Sequence, residues 1–171
     1  MNTHPAPDGA QTPADSPHLR VLAQYVKELS FRNGGAAMMH GYDVEPTIDM
    51  GVEVKSRPMG EKGDAFEVDL CINVAAKRAE TAMFSVSLVY SGLFQFVSVR
   101  PDDVEPLIWI ECPRLLFPFS RQILAEITRE GGYPPLLINP IDFTPLYWAE
   151  LRERQSRAPT TGGEIPLSQG S

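Results

Sequence analysis

The feature that most constrains this chain is a change of hydrophobic period near residue 100. Before it, apolar side chains recur every second residue in three successive segments. Ile48, Met50, Val52 and Val54 alternate with Thr47, Asp49, Glu53 and Lys55; Phe66, Val68, Leu70, Ile72 and Val74 alternate with Glu67, Asp69, Cys71 and Asn73. Phe84, Val86, Leu88, Tyr90, Phe94 and Phe96 continue the pattern. A period of two places all of these on one side of an extended chain. The turn-rich run Pro58–Asp64 and the short connection Lys77–Glu80 join the segments, so the expectation is an antiparallel meander with one dry face and one wet face. The wet face carries the small Ser85, Ser87 and Ser91 beside the carboxylates of Asp49, Glu53, Glu67 and Asp69.

Beyond residue 100 the period becomes 3.6. Leu116, Phe119, Ile123 and Ile127 recur at three- and four-residue steps, and Leu115 and Leu124 widen the stripe. Arg129 sits in the last turn, Gly131-Gly132 supplies a left-handed cap, and Pro134-Pro135 forbid continuation. Pro118 is tolerated in a first turn, which sets the expected start of the regular helix near Phe117. Asp102 and Glu105 form a capping-box pattern ahead of a short helix through Leu107, Ile108 and Trp109. The connector YPPLLINPIDF has a single charge, so it is either buried under the last helix or lines a groove. Thr144-Pro145 reads as an N-cap followed by a helix-opening proline. Leu146, Tyr147, Trp148 and Leu151 form the apolar side of a final helix braced by Glu150 and Arg154. Strands followed by helices imply the α+β class.

The segment Leu19–Phe31 fits two periods. Leu19, Val21, Ala23, Tyr25, Leu29 and Phe31 alternate like a strand, whereas Leu19, Leu22, Val26 and Leu29 fit a helical stripe. The β-branched and aromatic content favours a strand, ended by Gly34-Gly35. Residues 1–18 hold four prolines and read as a disordered tail, as does the stretch 156–171, leaving one domain over 19–155. Lys+Arg 15 against Asp+Glu 22 gives a net charge of −7, which disfavours nucleic acid and anionic membrane surfaces as partners. No signal-like or membrane-spanning run is present, so an unexported protein with reduced, buried Cys71 and Cys112 is expected. His4 and His18 fall in the tail and His40 in a loop, and no phosphate loop, metal-ligand spacing or nucleophile motif occurs. Neither an enzyme nor a cofactor is expected. Cys112 as a nucleophile would need a cationic neighbour, and only Arg114 is close in sequence.

These residues resemble the SecB family of bacterial protein-export chaperones. The resemblance runs from about Tyr25 to Arg154. It is carried by Cys112-Pro113, Leu115-Leu116-Phe117-Pro118-Phe119 and Arg121, then by Gly132-Tyr133-Pro134 and Asn139-Pro140-Ile141-Asp142-Phe143. Lys27–Phe31, Pro46 and Ser91–Phe96 add to it, although Ser91 stands where the family usually has the first glycine of a pair. The resemblance implies a four-stranded antiparallel sheet with helices packed on one face, a cytoplasmic homotetramer built as a dimer of dimers, binding of unfolded preproteins in long apolar grooves, and delivery to the ATPase SecA. An apolar surplus too wide for one small sheet to cover is itself a reason to assemble.

Three groups of site residues follow. Ile48, Met50, Val52, Leu136, Leu137, Phe143, Leu146, Tyr147 and Leu151 are candidates for a client groove between the second strand and the final helix. Glu28, Asp49, Glu53, Glu67, Asp69, Ser85 and Ser87 make a candidate SecA-docking face, on which Arg32, Ser85 and Ser87 depart from the family's usual residues. Val86, Leu88 and Tyr90, with Ile123 and Ile127, are candidates for the oligomer interface. The rival reading is a non-catalytic domain that closes over one small apolar ligand.

Overall fold

Alternation in the middle of the chain produces the expected meander, and a fourth strand joins it from the N-terminal side. In the computed structural model, which describes residues 17–35, 46–60 and 63–157, β1 is His18–Asn33, β2 Thr47–Met59, β3 Ala65–Arg78 and β4 Thr81–Val97. The sheet order is β1-β4-β3-β2, every pair antiparallel, so β1 and β2 occupy opposite edges. Of the tails expected at 1–18 and 156–171, residues 1–16 and 158–171 lie outside the described residues, as do His4 and His40. His18 already belongs to β1, and the final helix runs past Ser156 to Arg157.

The helices follow as α1 (Pro101–Pro106), a π-helical turn (Leu107–Glu111), α2 (Cys112–Glu130) and α3 (Phe143–Arg157). The start of α1 differs from the capping-box expectation: Arg100 is the N-cap, no side chain caps the helix, and Arg100 pairs with Asp103 at 2.8 Å. The regular helix also begins earlier than Phe117. Pro113 has no N–H to give the carbonyl of Trp109, and its ring crowds that carbonyl. Widening the preceding turn relieves both, and the Cys112 N–H bonds to the Leu107 carbonyl five residues back. Gly132, at φ +86°, supplies the left-handed cap by itself, since Gly131 is right-handed helical at φ −72°. At α3 the cap is Asp142 rather than Thr144, because Asp142 Oδ1 accepts the Thr144 N–H at 3.0 Å.

All helices lie on one face of the sheet. Val68, Leu70, Ile72 and Val74 of β3 and Phe84, Val86, Leu88 and Phe94 of β4 pack into one core with Leu116 and Leu124 of α2 and Phe143 of α3. Approach is close at Gly92, where a Cβ would lie 2.5 Å from the Phe94 ring and 2.9 Å from Leu116. The interior of α2 also holds Ser120 and Thr128, both fully buried and satisfied by bonding back to the Leu116 and Leu124 carbonyls at 3.1 and 2.8 Å. Thr128 Oγ1 additionally accepts the Leu136 N–H at 2.9 Å, and the Tyr133 hydroxyl reaches the Met83 carbonyl at 2.6 Å, so the apolar connector is pinned to the core at its start.

This packing corrects the expected interface. Val86, Leu88 and Tyr90 are 2%, 0% and 8% exposed, covered by helices of their own chain. Among the apolar side chains that stay open are Val21, Val26 and Leu29 on the helical side of β1, with Leu115 and Phe119 on α2. Tyr90 joins the two sets, since it pairs with Val26 across the strands and stacks on Phe119 at 6.1 Å. Ile123 and Ile127 are half-buried against the core.

Candidate functional site

Between edge strand β2 and helix α3 lies a groove of about 480 Å³ lined by Val52, Val54, Trp109, Leu146, Tyr147 and Ala149, with Glu53, Lys55, Ser56, Glu150, Glu153 and Arg154. Its position follows from local chemistry. The period-two pattern turns Val52 and Val54 toward the helices, the π-helical turn carries Trp109, and α3 is anchored by the buried Phe143 and Tyr147. Leu146, one residue before Tyr147, is left 40% exposed and faces the groove. No strand lies beside the outer edge of β2 among the described residues.

Of the residues expected here, the structure brings together Val52, Leu146 and Tyr147. Phe143 is fully buried core and not groove lining, and Leu136 is half-buried against the core. Leu137 is exposed on the connector, Ile48 and Met50 are exposed near the start of β2, and Leu151 is half-buried on α3; none of the four lines this groove. Sequence reasoning missed Trp109, which lay in an apolar run with no outward sign of its orientation. It also missed Arg154 as a groove residue: the guanidinium sits 4.7 Å above the Trp109 ring, bonded to Glu105 at 2.9 Å and Glu150 at 3.0 Å.

On the opposite, wet face, Glu67 is not a free docking carboxylate. It is 4% exposed and accepts hydrogen bonds from the Tyr25 hydroxyl, from Lys27 Nζ at 2.8 Å and from Arg57 Nε at 2.5 Å. Burial by itself would raise its pKa, but donation by Lys27, Tyr25 and Arg57 prevails and holds it at about 2. Asp69 takes a second contact from Lys27 at 2.7 Å and the Ser91 hydroxyl at 2.6 Å. The departure from a glycine pair thus has a local meaning: Ser91 points to the wet face to hold Asp69, while Gly92 faces the helix. Glu28 and Asp49 are exposed, and Glu53 is paired at 3.3 Å with Lys55. Arg20, Lys27, Arg32, Lys55 and Arg57 share this face with the acids, so its charges are interleaved. Ser85 and Ser87 line a shallow trough of about 690 Å³ running from Arg32 to Asp49, and the Ser87 hydroxyl donates to Asn73 Oδ1 at 2.8 Å.

Neither cysteine is prepared as a nucleophile. Cys112 is fully buried and its thiol is pushed up to about 12 by burial, aided by nearby Glu111. Burial also raises the Cys71 thiol. Among the described residues no group of His, Cys, Asp and Glu is arranged to hold a metal ion, and no helix is long and apolar enough to cross a membrane.

A family model described as "Preprotein translocase subunit SecB" matches residues 12–154 of the chain. The protein-export protein SecB of Maricaulis maris is 48% identical over 158 residues, covering 89% of this chain and 91% of that protein. The protein of the same description from Hyphomonas neptunium is 47% identical over 157 residues, covering 92% and 93%. Among solved structures, a SecB-like chaperone of Mycobacterium tuberculosis in complex with a ChAD peptide from the HigA1 antitoxin superposes with a TM-score of 0.58 at 14% identity, covering 72% of this chain and 91% of that one. That likeness is one of fold.

Proposed function

We propose, given that this chain belongs to the SecB family of protein-export chaperones, that it holds unfolded preproteins in the β2–α3 groove and passes them to SecA. The observation that carries the reading is the groove itself, apolar at Val52, Val54, Trp109 and Leu146 and bordered by edge strand β2, whose outer edge has no strand beside it among the described residues. An extended segment has both side-chain contact and backbone pairing available there, and neither depends on a particular order of residues. That is the recognition a chaperone with many clients needs. A compact small ligand fits less well, because charged side chains of β2 and α3 border the groove and leave no closed apolar cavity.

Assembly is assigned to the open apolar side chains. Val21, Val26 and Leu29 of β1 with Leu115, Phe119, Ile123 and Ile127 of α2 are covered by further copies in a homotetramer, replacing Val86, Leu88 and Tyr90 in that role. SecA docks on the wet face, through Glu28, Asp49 and Glu53. Glu67 and Asp69 contribute little charge to it, since Lys27 and Arg57 already balance them. The work is done in the cytoplasm and is binding without chemistry. The decisive experiment measures the mass of the free protein and of its complex with reduced, carboxymethylated α-lactalbumin, a permanently unfolded chain. A tetramer that binds this chain but not its native form supports the reading; a monomer, or equal binding of the native form, removes it.

A further inference from the structure

Arg154 is held by three different elements. Its Nη1 meets Glu105 of α1 at 2.9 Å, its Nε meets Glu150 of α3 at 3.0 Å, and its guanidinium covers the Trp109 ring at 4.7 Å. These contacts do not bury the group: the Arg154 side chain remains 44% exposed, and both carboxylates are similarly open. Contacts of this kind exchange readily with water and with competing groups. The ring beneath is different. Trp109 is half-buried and packs against the core, in a π-helical turn set by Pro113, so it stays in place whether or not Arg154 covers it.

We propose that Trp109 is the aromatic platform of the groove and Arg154 its removable lid, displaced when an aromatic side chain of a bound segment stacks on the ring. The inference rests on the groove being the client site. The flat indole face offers offset or edge-to-face stacking that its aliphatic neighbours in the groove, Val52, Val54 and Leu146, cannot provide. The free protein satisfies that face with its own guanidinium, which keeps a large apolar surface from standing open. The competition makes Arg154 a specificity-determining residue: clients lacking an aromatic side chain have no reason to move it.

The test uses the full chain and two synthetic twelve-residue peptides that differ only in a Phe-Phe or a Leu-Leu pair. Arg154→Met is expected to tighten the Phe peptide by about two- to fivefold, the scale of removing one exposed cation–π contact, and to leave the Leu peptide unchanged. Arg154→Lys restores the wild-type preference. In a Trp148→Phe background, emission from Trp109 shifts on binding the Phe peptide only. Equal tightening of both peptides, or none, overturns the lid. A separate arm, Leu146→Ser, must weaken both peptides; if it does not, the groove reading has failed independently of the lid.

Discussion

Glu67 is the residue whose environment contributes most that is specific to this sheet. Four side chains from three strands converge on it and on Asp69, which ties β1, β4, β3 and β2 together across the wet face. Because its folded pKa lies below the ordinary 4.5, at about 2, its stabilisation is fully present above about pH 4.5 and is lost as pH falls toward 2. Glu67→Gln should therefore lower stability at pH 7 by up to about 3 kcal/mol, the equivalent of the shift, and the deficit should shrink through pH 3. Urea midpoints for both proteins at pH 7, 4 and 3 read this directly; a deficit independent of pH would mean that the carboxylate's charge is not what matters. At Gly92 the expected effect is steric. A methyl group there meets the buried Phe94 ring and Leu116 at 2.5 and 2.9 Å, so Gly92→Ala should cost roughly 1–3 kcal/mol in a thermal melt.

At the level of elements, β1 explains why its own pattern reads two ways. Register shifts fall between Val21 and Ala23 and between Val26 and Glu28. Each bulge adds one residue, so the side chains facing the helices are Leu19, Val21, Gln24, Val26, Leu29 and Phe31, spaced alternately by two and three. That spacing lies between the strand and helix periods. The same bulges let Lys27 and Glu28 both face the wet side, which places Lys27 on Glu67 and Asp69. Helix α3 divides in another way. Phe143 and Tyr147 anchor it, whereas Leu146 faces the groove. Phe143→Ala is expected to cost about 3–5 kcal/mol of stability, and Leu146→Ser to leave the melt unchanged while weakening capture of an unfolded chain several-fold in a fluorescence titration. If Leu146→Ser melts early instead, Leu146 is structural and the groove loses its central residue.

At the scale of the whole molecule, two surfaces have different fates. The apolar surface around Tyr90 and Phe119 is where further copies are expected, so Val26→Asp combined with Phe119→Asp should lower the mass seen by light scattering while the circular dichroism spectrum is retained. Leu88→Asp, by contrast, puts an unpaired charge at a fully buried core position and should unfold the chain rather than separate subunits. On the wet face, Glu28→Lys should weaken SecA binding by a few-fold at low salt and little at high salt, because an exposed pair contributes only about 0.2–1 kcal/mol. Calorimetry at two salt concentrations measures it, and an unchanged affinity at both moves the docking site elsewhere.

Local patterns carried much of this protein, because they depend only on neighbours along the chain. Alternation in β2, β3 and β4, the change to a 3.6 period, the glycine and proline stops after Glu130 and the family resemblance in Cys112–Arg121 were all legible from the residues in order. Whatever depends on which elements meet was not. Period two puts Glu67 on the wet face but does not say that Lys27 and Arg57 arrive from strands on either side to neutralise it. The apolar parity of Val86, Leu88 and Tyr90 is the same whether α2 or a second copy covers them. Trp109 and Arg154 are 45 residues apart in the chain and meet only because Pro113 widens one helical turn and α3 folds back beside it. Sequence sets which faces are apolar and where chains turn; tertiary packing decides which of those faces are spent inside the molecule and which are left to bind.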